Sequence, residues 1–172
     1  SAQNFTFGYV DFTELVQLMP EADAARATME ENQKTNEEIL MEMYEEYQTK
    51  TKEYQQKSQS WTPAVRESKE AAIMDIQSRL EQTQKNMQQE IQQLQQQLQA
   101  PIIEKVNNVV NELAKAQGVV AVFEKASFLY IDETQMVNLT PEARKALNIP
   151  EGRTLETLQA EMMAKAQAAQ GM

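Results

Sequence analysis

Ten methionines, one tryptophan and a series of acidic pairs are the side chains of this 172-residue chain whose type and spacing could do chemistry, for it has no histidine and no cysteine. Without Cys there is no thiolate nucleophile, disulfide, iron–sulfur cluster or cysteine zinc site. Without His the usual general base near neutral pH and the commonest metal ligand are both missing. The carboxylates come as sequence neighbours, Glu30-Glu31, Glu37-Glu38 and Glu45-Glu46. Adjacent residues on a helix diverge by about 100°, so these pairs read as solvated faces rather than an acid/base pair or a cation cage. No Gly-rich phosphate loop occurs. The expectation is a protein without catalytic residues, cofactor or metal, one that works by contact. Met41 and Met74 are the candidates for that contact, because thioethers adapt to irregular apolar partners. Met29, Met43 and Met87 fall on regular apolar tracks and read as packing.

Trp61 stands next to Thr62-Pro63, between Lys57 and Arg66. Around it, residues 50–69 hold five basic side chains against Glu53 and Glu67, a local charge of +3. One reading is a mildly basic tip that tolerates anionic lipid head groups, with Trp61 at the interface. The other is an ordinary solvated face with Trp61 folded back over the helix ends. Elsewhere acid dominates. Sixteen basic against 26 acidic residues give −10, and residues 21–54 alone hold ten acidic and four basic side chains, a balance of −6. Residues 55–117 are neutral, with seven of each. A chain this acidic is a poor nucleic-acid binder, since phosphate binding draws on Lys and Arg.

Long helices must position these residues. No glycine lies between Gly8 and Gly118, and only Pro20, Pro63 and Pro101 interrupt that stretch. Ile73, Leu80, Met87 and Leu94 recur every seven residues. Ile91 and Leu98 mark a second track that runs back through Gln84 and Gln77, a heptad seam. Before it, Met29, Asn36, Met43 and Lys50 hold one track and Leu40, Tyr47 and Tyr54 another, a looser seam with polar members. Thr62 as N-cap and Pro63 at the first helical position start a returning helix. The pattern predicts a helical hairpin: out over 21–58, a turn at 59–62, back over 63–117, with a kink or break at Pro101.

The ends differ in character. Phe5, Phe7 and Tyr9 alternate with polar or small residues, as in a strand, and Asp11 with Glu14 forms a D-x-x-E capping box. After Gly118, residues 119–123 and 128–131 read as two strands of a hairpin around residues 124–127. Thr140-Pro141 opens a helix to about Leu147. A last amphipathic segment carries Leu155, Leu158, Met162 and Met163. Asn138-Leu139-Thr140 matches a glycosylation acceptor but, followed by proline, reads as the start of that helix. Three short strands cannot close on themselves. Association of several chains is therefore expected, with Phe7, Tyr9, Val120, Val122, Leu129 and Ile131 as candidate contacts of an oligomerisation body. The organisation is α+β, mostly α: a body of residues 1–20 plus 118–147, a coiled-coil arm of 21–117 projecting from it, and a C-terminal helical extension of 148–172.

The ordered motifs resemble the OmpH/Skp family of periplasmic chaperones: Gly8-Tyr9-Val10-Asp11, Met19-Pro20-Glu21-Ala22, Val65-Arg66-Glu67-Ser68-Lys69-Glu70, Pro101-Ile102-Ile103-Glu104-Lys105-Val106, Ala116-Gln117-Gly118, Phe128-Leu129-Tyr130 and Asn138-Leu139-Thr140. The resemblance implies a jellyfish-like homotrimer with a β-sheet body and three helical arms around a cavity. It implies an ATP-independent holdase that keeps unfolded outer-membrane proteins soluble in the periplasm. Well-known members are basic, whereas this chain is acidic. Asn138 stands where Asp is common, and residues from about 150 onward extend past the usual end. The start at Ser1-Ala2-Gln3 reads as the remnant of a removed signal segment or as a cloning scar. Rival readings are a structural coiled-coil scaffold or adaptor and a prefoldin-like chaperone. The latter would put its strands between the two long helices.

Overall fold

Glu, Gln, Ala, Lys, Met and Leu fill the glycine-free stretch, and all lose little on entering a helix. In the computed structural model of the protein, which describes residues 5–171, they form two long helices. The elements are β1 (Phe7–Val10), α1 (Phe12–Leu18), α2 (Pro20–Lys57), a 3-10 turn (Ser58–Ser60), α3 (Pro63–Ala116), β2 (Ala121–Glu124), a second 3-10 turn (Lys125–Ser127), β3 (Val137–Asn138), α4 (Thr140–Ala146) and α5 (Leu155–Gln170). At 1.5 Å per residue, α2 with 38 residues and α3 with 54 are about 57 and 81 Å long. The mostly helical α+β class and the pair of long helices are as the sequence predicts. Ser1-Ala2-Gln3 lies outside the described residues.

The chain divides into two compact units, residues 27–96 and residues 1–26 with 97–172. In residues 27–96 the two helices run antiparallel, joined by the 3-10 turn. Thr62 Oγ1 accepts from Val65 N at 3.3 Å and caps α3, with Pro63 at its first position. Along α2, Met29, Asn36, Leu40, Met43, Tyr47, Lys50 and Tyr54 are the more shielded positions, which are the tracks read from sequence. Along α3 the seam runs through Ile73, Leu80, Met87, Ile91 and Leu94, but Ile76 and Thr83 take the places expected of Gln77 and Gln84. Only Ile76 and Met87 are buried in this unit. Ile76 and Thr83 lie three residues after Ile73 and Leu80, whereas Ile91 and Leu98 lie four after Met87 and Leu94; both spacings share a helix face, so the second track moves back by one residue.

The other unit holds the sheet and the larger core. The sheet order is β2-β1-β3, with β1 central and parallel to both neighbours. The expected antiparallel hairpin of 119–123 with 128–131 is not formed. Residues 128–131 carry no strand, and β3 is Val137–Asn138. Among the described residues, the aromatic run 128–131 pairs with no strand. Gly8 sits in the middle of the sheet, where an added Cβ would meet Val119 Cγ1 at 3.1 Å and Val137 O at 3.3 Å.

Beneath the sheet, Val10, Leu15, Leu18, Met19, Ala22, Ile102, Val106, Val110, Ala143 and Leu147 form one buried cluster. The first turn of α2 and the last third of α3 thus supply core to this unit. Of the kink or break expected at Pro101, the break is not formed: α3 runs through it as one helix. Pro101 sits on the exposed face, so its ring meets solvent and only one ladder hydrogen bond is forfeited.

Half of the expected capping box is present. Asp11 Oδ1 accepts from Glu14 N at 3.1 Å. Glu14 does not reach back: its carboxylate pairs with Arg144 at 2.5 Å, and Asp11 N donates to Thr140 Oγ1 at 2.9 Å instead. Both exchanges tie α1 to α4. At the start of α4, Asn138 Oδ1 accepts from Thr140 N at 3.0 Å, so the amide holds that turn as a carboxylate would.

The segment after residue 147 begins as part of the core. Asn148, with φ 58°, ends α4 in the left-handed conformation, and Ile149 N returns to Arg144 O at 2.9 Å. Ile149 and Leu158 are buried in the same cluster. Arg153 grips Asp23 with both guanidinium nitrogens, at 2.5 and 2.7 Å. From Gln159 onward every described residue of α5 is exposed, Met162 and Met163 included.

Candidate functional site

Exposed contact surfaces are the candidate sites of this chain. Among the described residues, no group of three or more acidic side chains is close enough to share a cation. None of the described helices is long and apolar enough to cross a membrane.

The paired helices of residues 27–96 carry two different flanks. Glu46 and Tyr47 are sequence neighbours, yet Glu46 pairs with Arg79 at 3.5 Å while Tyr47 Oη accepts from Gln77 at 3.1 Å. Seven residues on, Glu53 pairs with Lys69 at 3.2 Å while Tyr54 Oη donates to Glu70. One flank is therefore an ionic ladder, to which Lys50–Glu46 at 3.8 Å and Arg79–Asp75 at 3.0 Å also belong. The other flank is a row of tyrosines and amides. The Glu70 carboxylate beside Tyr54 raises that phenol's pKa. Such half-exposed ion pairs contribute only about 0.2–1 kcal/mol each. They fix which way the basic side chains point more than they stabilise the helices.

Met41 and Met74 are 63% and 68% exposed, among the barest apolar side chains of the chain. Tyr44, which sequence reasoning passed over, is 53% exposed with its ring 6.3 Å from that of Tyr47. Its signal was available: it falls on neither apolar track of α2.

At the tip the three candidates separate. Trp61 is half-buried, edge-on to Tyr54 at 5.8 Å, with Lys69 Nζ 5.5 Å from its ring centroid. The Arg66 guanidinium donates to the Trp61 carbonyl at 3.2 Å. Both side chains thus close the turn, and Lys57 remains exposed.

Of the body candidates, Phe7, Tyr9, Val120 and Val122 lie on or beside the paired strands β1 and β2, but they differ in exposure. Tyr9 is buried inside its own chain, where burial, and then the nearby Glu133 carboxylate, push its phenol pKa up. Phe7, Val120 and Leu129 are exposed, Leu129 and Tyr130 almost fully. Val122 and Ile131 are half-buried, and Phe7 packs against Phe123 with centroids 6.1 Å apart. A groove of about 460 Å³ lies between the end of α3 and β2, lined by Phe12, Val110, Ala114, Val119, Val122 and Glu124 among others. Glu124 spends one carboxylate oxygen on Phe12 N at 2.9 Å, and the other has no partner.

A glycine-poor pair of long antiparallel helices with a three-stranded sheet at the chain ends is a specific combination. The family described as outer membrane protein (OmpH-like) matches residues 6–147. The chain belongs to the OmpH-like family. That is the chaperone family whose motifs run from Gly8 to Thr140. A solved structure of an OmpH-like protein from Caulobacter crescentus, regarded as an outer membrane chaperone, superposes with a TM-score of 0.74 at 12% identity, over 86% of each chain. At that identity it shows the fold. No curated protein matches the sequence at comparable significance. The OmpH-like match stops at Leu147, although Ile149, Arg153 and Leu158 belong to the same packed body.

Proposed function

We propose that this OmpH-like chain is a periplasmic, ATP-independent holdase that binds unfolded outer-membrane proteins between the helical arms of a homotrimer. The observation that carries this reading is the pairing of long, thinly packed helices with apolar side chains left bare at spaced positions. A holdase needs many replaceable contacts, and Met41, Tyr44 and Met74 are of that kind. Assembly is supported by the body. Phe5, Phe7, Val120, Phe123, Leu129 and Tyr130 are all exposed, and among the described residues the outer edge of β2 is unpaired. Such a surface asks for a partner, and a neighbouring copy of the same body supplies one. Lys57, exposed near the tip, is the side chain through which an arm would touch an anionic membrane surface.

A structural coiled-coil scaffold is the second reading. The seam of α2 disfavours it, because Asn32 and Asn36 bond each other at 3.3 Å within it, where a permanent coiled coil has apolar residues. Analytical ultracentrifugation of the chain mixed with a urea-denatured outer-membrane barrel, without nucleotide, tests the proposal. The expected product is a soluble complex holding three chains and one client. A scaffold would sediment unchanged and leave the client to pellet.

A further inference from the structure

The arm's two flanks are not equivalent as binding surfaces, and their difference selects what kind of unfolded segment they hold. Five basic or acidic residues that could meet a client are already spent on one flank, in the Glu46–Arg79, Arg79–Asp75 and Glu53–Lys69 pairs. On the other flank, Met41, Tyr44 and Tyr47 stack at helical spacing on α2, while Glu70, Met74, Gln77 and Glu81 stack on α3. The hydrogen bonds Tyr47–Gln77 and Tyr54–Glu70 place these two rows side by side. Met41, Tyr44 and Met74 are its bare apolar groups. Glu37, Glu45, Glu70 and Glu81 surround them, against Lys52 and Lys85 at the margin, a balance of 2 − 4 = −2. Of these carboxylates, Glu37 accepts from the Gln33 amide and Glu70 from Tyr54. None of the four is in an ion pair, so their charge is available to a partner.

We infer that the Met41–Tyr44–Met74 flank is the client-contacting side of the arm, and that it favours unfolded segments in which apolar or aromatic residues alternate with Lys or Arg. This deepens the holdase reading and rests on it. Apolar contact with the thioethers and the tyrosine ring supplies attraction without register. The carboxylates add a long-range pull on cationic chain and resist anionic chain. A second helix of this protein is a worse occupant. The row has no a/d repeat over successive turns and mixes glutamates among its apolar members, so no seam of fixed register can form on it.

The test uses the full-length protein and two fluorescent 20-residue peptides of equal apolar content, one interleaved with Lys and the other with Glu. The flank variant Met41→Gln/Tyr44→Gln/Met74→Gln is compared with Ile39→Gln, whose side chain is 40% exposed on the ionic flank. The Lys peptide is expected to bind about tenfold tighter than the Glu peptide at low salt, with the gap closing as salt rises. The flank variant should lose about tenfold in affinity for it, and Ile39→Gln at most about twofold. Equal losses in the two variants, or a preference for the Glu peptide, overturn the flank assignment. Photo-crosslinking from a benzophenone side chain at position 44 or 39 to an unfolded barrel needs no stable triple variant, and should label the client from 44 only. If the wild type binds neither peptide nor the unfolded barrel, the holdase reading falls as well. If the barrel binds the wild type and the flank variant equally, the flank assignment alone falls.

Discussion

Ile76 is one of only two apolar side chains buried in residues 27–96, and its exposure is zero. Replacing Ile76 by Ala deletes three carbons from the seam, a loss of about 2.4 kcal/mol at 0.8 kcal/mol per buried methylene. The cavity left behind would add to this in a closed core, but a two-helix seam is open at its sides and collapses easily. The expected cost is therefore near the low end of the 2–5 kcal/mol range for such truncations, about 2–3 kcal/mol. It should be felt locally, because the only other buried residue of that unit is Met87, three turns away. Hydrogen–deuterium exchange read by mass spectrometry is the assay, with Gln77→Ala as the comparison. Amides of residues 36–50 and 70–85 should lose about 30- to 150-fold in protection in Ile76→Ala. The amides of α1 and α4 should stay within about twofold. Protection unchanged in Ile76→Ala, or lost equally in Gln77→Ala, would show that the seam does not run through Ile76 and would refute the one-residue shift of the second track.

Three further outcomes are expected. Arg153→Met removes a bidentate partner from Asp23, whose carboxyl is held below its usual pKa chiefly by hydrogen bonds from Arg153. Asp23 is 41% exposed, so screening limits the loss at pH 7 to about 1–2 kcal/mol by urea denaturation. A depressed carboxylate stabilises above its unfolded pKa of about 3.9 and loses that contribution as pH falls through the lower folded value. The gap between wild type and Arg153→Met should accordingly shrink below about pH 4, and a gap that widens there would be wrong for this pair. Gly118 ends α3 at φ 68° with open space around its Cβ position, so Gly118→Ala should cost about 1 kcal/mol of thermal stability from backbone strain alone. Gly118→Asn, which tolerates that conformation, should cost less, and equal losses would point to packing instead. Leu129→Asp should leave the far-UV circular dichroism of the chain intact while shifting sedimentation toward monomer. Persistence of the assembly would exclude residues 128–131 from its interface.

The helices were legible because their signals are local. Absence of Gly and Pro, the Thr62-Pro63 start and the seven-residue recurrence of Ile73, Leu80, Met87 and Leu94 all act within a few turns. The second track was misplaced because a strict seven-residue step back from Ile91 keeps its four-residue offset from Met87, whereas Ile76 and Thr83 sit three residues after Ile73 and Leu80. The sheet was read less well. Residues 119–123 and 128–131 have the composition of paired strands, but parallel pairing to β1 depends on a partner more than 100 positions away in sequence. A β-rich composition at Leu129 and Tyr130 says that the segment suits a sheet, not that the sheet is in the same chain. The Asp23–Arg153 and Glu14–Arg144 pairs join residues 130 positions apart, and spacing could not announce them. Among the contact candidates, Met41 and Met74 are exposed where the tracks predicted. Tyr44 belongs beside them by the same rule but was not picked out.

The central claim, that this chain shelters unfolded protein by contact and without nucleotide, meets its most direct test in light scattering. An outer-membrane β-barrel diluted from urea should aggregate within minutes by itself. In the presence of three chains per client, with no nucleotide added, scattering should stay at the buffer level and the client should remain competent to insert into detergent micelles. Scattering that rises at the same rate with and without the protein, at that stoichiometry and at physiological salt, would contradict the account.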